Sequence, residues 1–204
     1  VEGLNERLER QVRFTVELDK LKLVLRRNTL GDSSRFENSA EHSWHLAVMA
    51  AILAEHANGP IEVGRVIQMV LVHDIVEIDA GDTFAYDEVG ILDQSVRETL
   101  AADRLFALLP PDQTVLIRGL WDEFEARDTE EARFAVALDR FQPLLQNIAS
   151  AGGSWRSHAV TLEMVRARCA AIGEGSAALG AYVETLIADA VARGMIAVPG
   201  IVEP

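Results

Sequence analysis

The chain has 204 residues, 49% of them apolar and 25% charged, with a formal net charge of −13. That length can bury a sizeable core without help from disulfides or a structural metal. A single cysteine, Cys169, excludes a disulfide framework and any paired-cysteine zinc motif.

The acidic excess argues against a nucleic-acid polymer as partner, because backbone binding needs cation-rich surface. No apolar run approaches the roughly 20 residues of a membrane span. The first residues lack the apolar core of a secretory signal, so the expected compartment is the cytoplasm. The charge is uneven. Residues 1–35 hold eight basic and six acidic side chains, leaving −15 on the remainder. A local cation cluster on an acidic chain suits a compact anion such as phosphate.

The periodicity predicts an all-α fold of about eight helices in one domain spanning 1–204, with a core over about 15–145 and a helical extension over 150–204. Leu4, Leu8, Val12, Val16 and Leu23 predict an amphipathic helix over 4–27. A polar, turn-rich loop follows over 28–40, and Ser39 is a candidate cap for a helix over 41–56. A mostly apolar helix is expected over 62–79, stopped by Ala80-Gly81, then a loop over 81–92. Asp93, Pro110-Pro111, Thr129 and Thr161 mark the starts of four more helices, the third carrying Pro143 as an expected kink. A last helix is expected over 177–193, and no alternating strand pattern stands out. The apolar tail Met195–Val202 suits self-packing and a homodimer contact equally well.

Four of the five histidines lie between 42 and 73, in Glu41-His42-Ser43-Trp44-His45, His56 and His73-Asp74-Ile75-Val76-Glu77. An apolar helix from Val66 to Val76 would bury His73 and Asp74, at a cost of several kcal/mol unless a partner compensates. A divalent cation is the natural compensator. Two more ligands must come from other helices; His42 is the best donor, and Asp139 is a lone acid in another apolar stretch. Two histidines and two aspartates suit one divalent ion of Mn, Co, Mg, Fe or Zn, less so structural zinc. Trp44, Trp121 and Trp155 read as core, while Trp155 with His158 has no assigned role.

The ordered set His42…His73-Asp74…Asp139 resembles the metal signature of the HD-domain phosphohydrolase superfamily. Leu21-Lys-Leu-Val-Leu-Arg26, Glu41-His-Ser and His73-Asp-x-x-Glu77-x-x-x-Gly81-Asp82 are similar to the bacterial 5′-deoxynucleotidases and their relatives, over about residues 15–145. The resemblance implies His42, His73, Asp74 and Asp139 as metal ligands and Arg26 as the phosphate-binding cation. Glu77 would activate water or protonate, and Asp82 would lie near the attacking water or the sugar. The implied substrate is a small phosphate ester, a nucleoside 5′-monophosphate first among them. Arg27 stands where those nucleotidases carry a tryptophan, which opens the way to a more anionic substrate. Two other classes fit the scaffold: a non-catalytic binding module, which would not need Glu77 and Asp82, and a metal-dependent oxygenase, which would need further histidines.

Overall fold

The structure, a computed structural model, describes residues 2–197. Helix α1 (Glu2–Glu17) runs into a 3-10 turn over Leu18–Leu23 and then a small antiparallel hairpin, β1 (Leu25–Thr29) and β2 (Phe36–Asn38). The layers that follow are α2 (Ser39–Leu53), α3 (Val63–Val72), α4 (Glu77–Ala80), α5 (Gln94–Phe106), α6 (Pro111–Ala126) and α7 (Glu130–Ala149). A short α8 (Gly153–Ser157) leads to α9 (Leu162–Gly175) and α10 (Ala177–Ala192). Eight of these helices have ten residues or more among the described residues, as the periodicity predicts. Among the described residues, no helix is long and apolar enough to cross a membrane.

Helix α7 is the axis of the core. Its stretch from Phe134 to Asp139 is buried on every side, packed by α9 on one flank and by α2, α3 and α6 on the others. Thr129 caps it, accepting from the Ala132 amide at 3.1 Å. Pro143 does not break it; α7 is continuous over 20 residues. Lacking an N–H, Pro143 cannot bond back to the carbonyl one turn earlier, that of Asp139. Its own carbonyl accepts from Asn28 at 3.2 Å, which ties α7 to β1.

The structure corrects the sequence reading at several points. The predicted first helix stops at Glu17, and Arg26 and Arg27 sit on β1. Asn28 and Thr29 are poor helix formers, and Gly31-Asp32-Ser33-Ser34 supplies a turn in which Ser33 takes φ 61°. The cap of α2 is Asn38, one residue before Ser39, and it forms a capping box with Glu41. Asp93 precedes α5 without a side-chain cap bond.

The expected long helix over 62–79 tightens into a 3-10 turn over His73–Val76, a change that an unbroken apolar run conceals. Residues 150–160, ahead of the helix that starts after Thr161, contain the short α8, which the sequence reading did not mark. Trp121 and Trp155 are core, but Trp44 is 64% exposed. Met195 and Ile196 pack into the chain's own core, and residues 198–202 of the apolar tail lie outside the described residues.

Candidate functional site

Three separate stretches of helix bring His42, His73, Asp74 and Asp139 together in the core, each no more than 7% exposed. His42 comes from α2, His73 and Asp74 from the 3-10 turn, and Asp139 from the middle of α7. His42 Nε2 lies 3.0 Å from Asp139 Oδ1 and 3.9 Å from Asp74 Oδ2. His73 Nε2 lies 3.0 Å from Asp74 Oδ1 and 3.7 Å from Asp139 Oδ1. Ligand atoms of His42, His73 and Asp139 all fall within 4.8 Å of one another, close enough to share an ion.

The other ring nitrogens set what these atoms present. His73 Nδ1 donates to the Val70 carbonyl at 2.9 Å, so its Nε2 carries a lone pair when the ring is neutral. That Nε2 is buried without a hydrogen-bond partner, because neither nearby carboxylate is aligned with it. His42 Nδ1 donates to Gln142 Oε1 at 3.1 Å. The amide orientation of Gln142 follows from its other contact, Nε2 donating to Glu37 Oε1 at 2.8 Å. His42 Nε2 therefore faces Asp139 Oδ1 as one acceptor facing another. Such a contact is favourable only with a positive charge between them.

Electrostatics repeat the demand. Burial opposes charge on both rings. At His73, Asp74 and Asp139 outweigh it and carry the pKa up to about 9. At His42, burial and the Arg26 guanidinium push the pKa down to about 4. Asp139 resists burial because Arg140 and the two histidines hold it well below the usual carboxylate range. Neutral imidazoles and ionised carboxylates are the forms a divalent ion requires, and the proton that the raised pKa keeps on His73 is the positive charge an ion would replace. The donor set thus fits such an ion.

Around this cluster stand the other sequence candidates. Arg26, 11% exposed at its side chain, reaches Asp74 Oδ2 at 2.9 Å and lies 3.8 Å from Asp82 and from Glu37. Glu77 is buried, receives the Ser39 hydroxyl at 2.5 Å, and is raised well above the ordinary range by burial and by Asp74. Burial raises Asp82 as well. Arg26, His73, Asp74, Glu77, Asp82 and Asp139 all open onto one cavity of about 350 Å³. Arg27 is exposed on β1 and lines only its inner annex.

Other candidates fall outside. His45 turns away from the metal-ligating atoms, and its Nδ1 stands 3.3 Å from Gln142 Nε2. Cys169 is buried, with its thiol pushed up to about 12, so it is no thiolate. Trp155 fills core at the annex wall, and His158 stacks on Phe84 with ring centroids 4.5 Å apart.

The sequence reading missed three residues that touch the site. Gln142 and Glu37 lie behind His42, and Arg140 opens onto the cavity. Gln142 lies three residues after Asp139, on the same face of α7, and that spacing was the available signal. Glu37 had none, because it precedes α2 in a stretch read as loop.

A family model described as HD domain matches residues 18–179. The crystal structure of a predicted metal-dependent phosphohydrolase from Magnetospirillum magnetotacticum MS-1 is 54% identical, covering 95% of this chain and 97% of that one, with a TM-score of 0.91. A protein of Bos taurus named 5′-deoxynucleotidase HDDC2 is 34% identical over 111 residues, covering 54% of this chain and 52% of the relative. Its Mus musculus counterpart is 32% identical over 110 residues, covering 54% of each. The chain spans about half the length of the curated relatives it matches. An HD-domain phosphohydrolase from Listeria innocua, 16% identical with a TM-score of 0.59 over 90% of each chain, shares the fold. The convergence of His42, His73, Asp74 and Asp139 from three stretches of helix agrees with the family model over residues 18–179, and the chain belongs to the HD domain family.

Proposed function

We propose that this protein is a metal-dependent phosphohydrolase that cleaves a phosphomonoester, with nucleoside 5′-monophosphates as the leading substrates. One observation carries the reading: His73, Asp74 and Asp139 of a buried two-histidine, two-aspartate cluster line a cavity together with Arg26 and two carboxyl groups raised by burial, Glu77 and Asp82. His42, His73, Asp74 and Asp139 would hold one divalent ion of Mn, Co, Mg, Fe or Zn. When bound, the ion lowers the pKa of its water and polarises the phosphoryl group.

The chain's own residues supply the rest. Arg26 offers paired donors to phosphate oxygens and offsets charge developing on them. Glu77 sits one helical turn from His73, so its carboxyl can exchange a proton with water at the ion. The Ser39 hydroxyl fixes one of its oxygens and leaves the other free to act. Asp82, at the mouth of the annex beside Arg26, orients the leaving alcohol. We take residues 1–204 as one unit, since the extension's α9 packs on α7, which bears Asp139. The match named 5′-deoxynucleotidase supports the nucleotide preference, while Arg27 bears on how much charge the substrate brings.

A metal-supplemented screen tests the reading. The full chain should hydrolyse para-nitrophenyl phosphate with Mn or Co and should release phosphate from at least one nucleotide or sugar phosphate. Absence of cleavage of every phosphate ester with Mn, Co, Mg and Zn would overturn it in favour of a non-catalytic binding module.

A further inference from the structure

The annex, which shares Arg26, Asp82, Arg140 and Arg168 with the cavity, is a compact space of about 50 Å³, room for a small polar group rather than a nucleobase. Four arginines line it, Arg26, Arg27, Arg140 and Arg168, against a single acid, Asp82. On a chain of net charge −13 this concentration of cations stands out. It is also one-sided, because the outer part of the cavity carries Glu98 and Glu125 beside Arg127.

The pairing of these arginines is uneven. Arg26 is taken up by Asp74 at 2.9 Å, and Arg140 has Asp139 at 3.3 Å. Both of those carboxylates belong to the candidate metal cluster, and an ion there would draw on the same charge. Arg27 and Arg168 have no carboxylate within 4.0 Å among the described residues. Four guanidinium groups converging on a space with one carboxylate repel one another, Arg27 from an exposed position and Arg168 from a half-buried one, and an anion is what offsets them. The scissile phosphate accounts for Arg26 at the metal side; Arg168 lines both the annex and the metal-side cavity, and Arg27 lines the annex alone.

We infer that the annex holds a second anionic group of the substrate, so that the preferred substrate is a phosphate ester bearing a further phosphate or carboxylate. The inference rests on the phosphohydrolase reading for the position of the scissile phosphate. Arg27 and Arg168 grip the second anion from β1 and α9, while Arg140 and Arg168, which line both the annex and the metal-side cavity, also face the scissile phosphate.

The test is a calorimetric titration of the Mn-loaded full chain with matched probes. Glycerol 3-phosphate is set against 3-phosphoglycerate, which adds a carboxylate. A nucleoside 5′-monophosphate is set against its 3′,5′-bisphosphate, which adds a phosphate. At least one two-anion probe should bind about tenfold tighter than its partner, and the successful pair identifies the second group. Arg168→Gln should shrink that preference by roughly tenfold, the scale of one lost charge-assisted bond. Arg27→Gln, on an exposed strand position, should do the same and guards against a misfolded Arg168 variant.

Equal binding within both pairs, or a preference that survives in both variants, overturns the inference. The two readings fail separately. Hydrolysis of para-nitrophenyl phosphate without any two-anion preference removes only the annex proposal. A two-anion preference without hydrolysis of any ester removes only the enzymatic one.

Discussion

The two sides of the cavity follow opposite electrostatic plans. On the helix side, lone pairs from two imidazoles face the carboxylates of Asp74 and Asp139, an arrangement that needs a cation. On the side of β1 and α9, guanidinium groups outnumber carboxylates, an arrangement that needs an anion. A phosphate ester is the kind of ligand that satisfies both, one oxygen toward the ion and the others toward arginine. The helix side is rigid core; the arginine side takes Arg26 and Arg27 from a two-stranded hairpin, a weak element that depends on its packing against α7 and α8. Catalytic power should therefore break on the helix side and specificity on the hairpin side.

Asp74 joins the two plans, since it faces His73 and pairs with Arg26. Its loss should have the largest effect. Asp74→Ala should abolish stoichiometric metal, close to one ion per chain in elemental analysis of the parent. It also leaves Arg26 buried without its nearest partner, at a cost of about 3 kcal/mol in denaturant unfolding. Retained metal in that variant would remove Asp74 from the ligand set. Next in size is Glu77→Gln, which should lower turnover by about 10²–10⁴-fold with metal content unchanged. Metal loss in that variant would instead make Glu77 a ligand.

Glu37 separates the plans in another way, because it stands behind the site and between them. Burial raises its pKa from 4.5 to about 7 despite Arg26 nearby. A carboxyl whose folded pKa is raised favours the folded state below pH 4.5, and that contribution is lost as pH rises through 7. Parent stability should fall across this window relative to Glu37→Gln, at up to about 1.4 kcal/mol per pH unit. Parallel stability curves for the two proteins would show Glu37 to be ionised throughout.

The helix side was legible in the sequence for the same reason that it is rigid. Polar residues in an apolar helix stand out, so His42, His73, Asp74 and Asp139 announce themselves without a structure. The arginine side was legible only in part: the cation excess over residues 1–35 and the family resemblance single out Arg26 and Arg27, but both follow a helical pattern and look like surface charges. Only the hairpin, formed with Phe36–Asn38 some ten residues on, turns Arg26 inward. Arg140 and Arg168 come from α7 and α9, and no local pattern says that their ends meet. The 3-10 turn at His73 was hidden too, since apolar neighbours fit either helix. Gln142 lies between these cases: its spacing from Asp139 was visible, but its purpose depends on His42, a hundred residues away in sequence.

That purpose gives the smallest and most specific prediction. Gln142 is fully buried; its oxygen accepts from His42 Nδ1, and its nitrogen serves Glu37 and His45. By accepting from Nδ1, its oxygen fixes the tautomer in which His42 Nε2 keeps a lone pair toward Asp139. Gln142→Leu keeps the volume and removes the acceptor, so His42 is free to take the other tautomer or to turn its ring. Metal affinity, measured by competition with a chelator, should fall by about 10–100-fold, the usual cost of losing such a supporting bond. Gln142→Glu retains an acceptor and should keep more of that affinity than the leucine variant, even though it adds charge beside Glu37. Turnover at saturating metal should change less than affinity does, since Gln142 touches neither the cavity nor Glu77. Equal losses in both variants would mean that packing, and not the hydrogen bond to His42, is what Gln142 supplies.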